Sequence, residues 1–80
     1  MALNKTRGTF STLLKKVGNR IEALRKAKKW NQHELADRTG LDRTYISSVE
    51  GGKQNATMKV LLKIAEALDV RFDSLFSKTE

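Results

Sequence analysis

The stretch QHELADRTGLDRTYISSVEGGK, Gln32 to Lys53, carries two short helices and the turn between them. Asn31 stands before it as an N-cap, Glu34 three residues on is placed to reach back, and Trp30 is placed to staple onto Leu35. These signals start a helix at Gln32. It ends at Gly40, the residue best able to take the left-handed conformation past a helix end. Leu41 then precedes Asp42, a strong N-cap, so a second helix runs from about Arg43 to Glu50 and stops at Gly51-Gly52. Helices crossing steeply after so short a turn need a small side chain at Ala36 and a permissive backbone at Gly40, while Leu35, Leu41, Ile46 and Val49 close the wedge. Packing accounts for all of these. It leaves Arg43, Thr44, Ser47 and Ser48 unexplained on the opposite side.

Upstream, Phe10, Leu13, Leu14, Val17, Ile21 and Leu24 step by three and four, predicting an amphipathic helix from about Ser11 to Lys28. Gly18 weakens its middle by about 1 kcal/mol relative to alanine. Residues 1–10 mix Asn, Thr, Gly and basic groups without periodicity, which predicts a flexible basic arm. Downstream, Lys53, Gln54 and Asn55 form a polar loop, and Thr57 caps a helix whose stripe is Leu61, Ile64, Ala65 and Leu68. Asp69 closes that helix. The stretch VRFDSLF, Val70 to Phe76, predicts a last short helix with Phe72, Leu75 and Phe76 on one face. With no proline, no repeat and no sustained alternation, the chain reads as all-α: one domain over 11–77 and a tail at 78–80.

A chain of 80 residues with 39% hydrophobic content builds a small core and leaves little room for an enzyme cleft. It contains no cysteine and a single histidine, His33. That excludes a thiolate or histidine-cluster metal site, and no cofactor is expected. No nucleophile–base pair or carboxylate dyad stands at a useful spacing, so the protein reads as a non-enzyme. No apolar run approaches the roughly 20 residues of a membrane span, which points to a cytoplasmic protein with no membrane partner.

The formal charge is +7, and residues 1–30 hold nine basic groups against the lone acid Glu22. A one-sided basic segment suits a polyanion, whose condensed counterions are released as phosphates are contacted.

The 32–53 stretch resembles the helix-turn-helix of the phage repressor and Cro (xenobiotic-response-element) family. The resemblance rests on Gln32, Leu35, Ala36, Gly40, Ile46, Val49, Glu50 and Gly52, with Gly18-Asn19-Arg20-Ile21 and Leu24-Arg25 matching the first helix. It covers residues 18–76, with the helix-turn-helix at 32–50, and implies a compact five-helix repressor-like DNA-binding domain. LDRTYIS, with LLKKV upstream, is further similar to the controller proteins of restriction-modification systems, small homodimeric transcription regulators. Gln54, Ala56, Lys29 and Arg71 depart from residues common in the family, Lys29 standing where Gly is common.

The polar side now has a use. A recognition helix offers its N-terminal residues to base edges in the major groove, where Arg grips guanine bidentately. Arg43, Thr44, Ser47 and Ser48 are the expected base contacts, with Arg43 for guanine and the Thr44 methyl available to thymine. For the DNA backbone the expectation is Gln32, His33, Tyr45, Lys53, Gln54 and Asn55. Gln32 stands at a helix N-terminus, where family members hold a phosphate, and the 53–55 loop in the family tracks the sugar-phosphate. One helix reads too few base pairs for selectivity, so a homodimer on an inverted-repeat operator is expected, joined through Phe72, Leu75 and Phe76. The resemblance thus implies a sequence-specific transcription regulator, bacterial or phage-encoded and nucleoid-associated, with double-stranded operator DNA and RNA polymerase as partners. A phage-type repressor and an antitoxin DNA-binding subunit are the alternatives. The membrane alternative would use the Phe10–Leu24 helix alone and leave Asn31, Gly40 and Asp42 without purpose. The Arg25 and Glu50 positions match a pair that forms an internal salt bridge in several family members.

Overall fold

The structure, a computed structural model, describes the backbone of residues 2–76 and the side chains from Phe10 onward. It comprises α1 (Ala2–Ala27), α2 (Gln32–Thr39), α3 (Arg43–Glu50), α4 (Met58–Leu68) and a terminal 3₁₀ helix (Phe72–Phe76), with no strand among the described residues. Three starts follow side-chain caps. Asn31 Oδ1 accepts from the Glu34 N–H at 2.8 Å, Asp42 Oδ2 from the Thr44 N–H at 2.9 Å and Thr57 Oγ1 from the Val60 N–H at 3.1 Å. The Glu34 carboxylate does not reach back to Asn31 as expected; it lies 3.4 Å from Arg38, one turn on along the same helix.

All four α-helices end alike. The residue after the last turn has positive φ: 65° at Lys29, 74° at Gly40, 72° at Gly52 and 60° at Asp69. The next N–H then returns to the carbonyl five residues back: Trp30 to Arg25 at 3.3 Å, Leu41 to Ala36 at 3.1 Å, Lys53 to Ser48 at 2.9 Å, and Val70 to Ala65 at 3.1 Å. Glycine fills the two left-handed positions that flank α3. The left-handed conformation costs a side chain about 1 kcal/mol or more, which is why Lys29 departs from the family's glycine at a cost. Lys29→Gly is therefore expected to raise stability by about 0.5–1 kcal/mol, glycine's looser unfolded chain taking back the rest. A urea midpoint unchanged or lowered by the substitution would contradict this.

The core gathers Val17 and Ile21 from α1, Leu35 and Ala36 from α2, Ile46 and Val49 from α3, Ile64, Ala65 and Leu68 from α4, and Leu75 from the 3₁₀ helix. Arg20 Nε donates to the Ser74 carbonyl at 2.9 Å and fastens that last element to α1.

Three expectations are corrected. The flexible arm over 1–10 does not stand, because α1 is helical from Ala2. Extending a helix whose later turns are already packed skips the costly nucleus, so the unperiodic residues, Gly8 included, join it. The fifth helix is a 3₁₀ segment of five residues, too short for a regular ladder of α-type bonds. Its three-residue turn also parts the expected apolar face: Leu75 is fully buried in the monomer, Phe72 is half-buried, and Phe76 remains 45% exposed. Leu75 is thus a core residue and not an interface one. The tail expected at 78–80 lies outside the described residues.

Candidate nucleic-acid interface

Gly40 adopts φ 74° and ψ 16° with its N–H on the Ala36 carbonyl, so α2 breaks sharply and Leu41 leads straight into the Asp42 cap. Thr39, buried at the end of α2, donates its hydroxyl to the Leu35 carbonyl at 2.9 Å and accepts from the Leu41 N–H at 3.3 Å. The only sign of this brace in the sequence is a threonine in the last helical turn before glycine. Of the expected wedge, Leu35, Ile46 and Val49 are buried and Leu41 is half-buried.

Behind α3 stands α1, brought close at Gly18. A Cβ built there would lie 2.5 Å from the carbonyl oxygens of both Val49 and Glu50. The glycine that weakens α1 on propensity is therefore what admits the end of α3 against its backbone.

Arg25 and Glu50 form the expected pair. Arg25 Nε donates to Glu50 Oε2 at 2.7 Å and its second terminal nitrogen to Oε1 at 2.9 Å, while the first reaches the Trp30 carbonyl at 2.7 Å. Both residues are buried, at 6% and 5% exposure. The hydrogen bonds that Arg25 donates to Glu50 hold the guanidinium above its ordinary pKa, so the arginine's share of the pair's contribution is present below that pKa and is lost only as the pH rises into strong alkali. Glu50 Oε1 accepts a further hydrogen bond from Gln32 Nε2 at 3.0 Å. The Trp30 ring packs against the core and carries the Arg38 guanidinium 4.1 Å from its centroid.

This scaffold fixes α3 by one side and leaves the other to solvent. Arg43, Thr44 and Ser47 are exposed together on it; Ser48 is half-buried, turned further toward the body. Lys53, Gln54 and Asn55 follow in an exposed loop. Gln32 is half-buried at the first turn of α2, tied to the end of α3 through Glu50. His33 is exposed, with Asp37 3.6 Å from its Nε2. Tyr45 is half-buried, its ring packed against the core.

The helix-turn-helix family model matches residues 21–75, which takes in α2, α3, the 53–55 loop and the Arg25–Glu50 pair. The chain belongs to the helix-turn-helix family. It is 42% identical over 64 residues to the control protein C.MunI of a Mycoplasma species, covering 79% of this chain and 86% of that protein. Among solved structures, the restriction-modification controller protein C.AhdI from Aeromonas hydrophila superposes with a TM-score of 0.77 at 44% identity, covering 79% of this chain and 96% of that one. The controller protein C.Esp1396I, solved as a tetramer in complex with its natural 35 base-pair operator, gives a TM-score of 0.74 at 41% identity, covering 80% of this chain and 84% of its own. Among the described residues no group of three or more metal-ligating side chains comes together, and no helix is long and apolar enough to cross a membrane.

Proposed function

We propose that the protein is a sequence-specific DNA-binding transcription regulator of the restriction-modification controller kind, acting as a homodimer on an inverted-repeat operator. The observation that carries this reading is the division of α3: Ile46, Val49 and Glu50 are buried, while Arg43, Thr44 and Ser47 are exposed together at its N-terminal end. That is the side a recognition helix offers to the major groove. The relative solved on its operator has the same fold and supports the assignment. Arg43 reads guanine, Thr44 and Ser47 read neighbouring edges, and Ser48 serves at the margin of the face. Gln32, Lys53, Gln54 and Asn55 position the domain on phosphates, with His33 and the Tyr45 hydroxyl beside them. Selection of bound fragments from random duplex DNA, followed by footprinting, gives the operator directly. Arg43→Ala is expected to cost about 1–3 kcal/mol on that site and to relax specificity at one position per half-site. Equal losses on selected and random DNA would remove Arg43 from base readout.

The dimer reading has a separate support. Every large hydrophobic side chain described as exposed, namely Phe10, Leu13, Met58, Leu62 and Phe76, belongs to α1, α4 or the 3₁₀ helix and none to α2 or α3. Phe72 and Phe76 meet edge to face, with centroids 5.4 Å apart, within that surface. A two-fold contact there would bury apolar area and set two recognition helices about 34 Å apart, one turn of duplex. Phe76→Asp is expected to shift the protein toward monomer in sedimentation at micromolar concentration. A variant that still dimerises would place the contact elsewhere.

A further inference from the structure

Glu50 lies in the last turn of α3, yet its carboxylate is spent wholly outside that helix. Arg25 takes both oxygens, at 2.7 and 2.9 Å, and Oε1 accepts the Gln32 amide in addition, at 3.0 Å. The ion pair is already bidentate without Gln32. Gln32 in turn gives up side-chain freedom in a half-buried position to make that bond. A primary amide carries two N–H donors, and Glu50 occupies one of them. The other donor remains at the first turn of α2, where backbone N–H groups and the helix dipole favour an anion.

We infer that Glu50 is a positioning residue for the DNA backbone contact: Oε1 fixes the Gln32 side chain so that its second amide N–H meets a phosphate diester oxygen. Arg25 completes the device by neutralising the carboxylate, which would otherwise repel that phosphate. The inference rests on the reading of Gln32 as a phosphate contact. It adds that a buried residue of the recognition helix sets this contact at the neighbouring helix.

A double-mutant cycle in binding tests it, with Gln32→Ala, Glu50→Gln and the double variant titrated on one duplex at a temperature where each is folded by circular dichroism. Gln32→Ala is expected to weaken binding on the order of tenfold, the scale of one hydrogen bond to a charged group. Glu50→Gln should cost a similar factor alone but under about twofold in the Gln32→Ala background. A merely structural Glu50 would give the same loss in both backgrounds, and that result overturns the inference. The wild-type protein supplies a second readout should Glu50→Gln fail to fold. The Gln32 side-chain amide is expected to exchange slowly in free protein and to shift on adding duplex; a fast-exchanging, unshifted amide also overturns the inference. Wild type that binds no duplex at all would instead remove the DNA-binding reading beneath it.

Discussion

Glu50→Ala is expected to lower the unfolding free energy by about 3–5 kcal/mol, the loss found when one partner of a buried ion pair is removed. The substitution strands the Arg25 guanidinium at 6% exposure with only the Trp30 carbonyl and the more distant Glu22, 4.0 Å away, as partners. It also releases Gln32. Small domains hold a net stability of roughly 5–15 kcal/mol, so the loss takes a large fraction of the total. Urea unfolding followed by circular dichroism measures the change. Replacing both residues by apolar ones of similar volume should cost less than removing Glu50 alone, because no uncompensated charge then stays buried. A midpoint unmoved by Glu50→Ala would mean that the pair contributes nothing to the fold.

Gly18→Ala is the second large effect, and its sign runs against helix propensity. In a solvent-facing helix interior the change would stabilise by about 1 kcal/mol. Here the new methyl would meet two backbone oxygens at 2.5 Å, and backbone cannot swing aside as the end of a side chain can. Overpacking of this kind typically costs about 1–3 kcal/mol and sometimes more. Because α1 and α3 must separate to admit the methyl, the Arg25–Glu50 bonds should lengthen with them. Thermal melts check the sign at once: a raised midpoint would mean that the helices yield easily at this contact.

Much of this architecture is written locally in the chain. Asn31, Asp42 and Thr57 cap their helices within three residues of themselves, and Gly40 turns the chain by its own conformational freedom. Signals that act over a few residues can be read without knowing the fold. The division of α3 was legible for the same reason, since helical spacing alone sets Ile46 and Val49 across the helix from Thr44 and Ser47, with Arg43 at the border of the polar side.

What stayed hidden depends on contacts between distant segments. Gly18 looks like a propensity defect until the end of α3, some thirty residues on, is set against it. The Gln32–Glu50 bond joins the first turn of one helix to the last turn of the next, and neither side chain reports the other. Leu75 reads as part of an apolar face because helical spacing is assumed; a three-residue turn instead sends it inward, leaving Phe76 outside. The start of α1 was hidden differently: residues with no periodicity joined a helix nucleated further along.

The proposed function requires that the polar side of α3 select DNA by sequence. Competition between a duplex recovered from a random pool and a random duplex of equal length, at fixed salt, decides whether it does. The selected duplex should win by about 10³-fold or more, with Arg43→Ala removing a large part of that margin and little of the random binding. Equal affinity for the two duplexes, falling together as salt rises, would make the protein a non-specific polyanion binder and contradict the account.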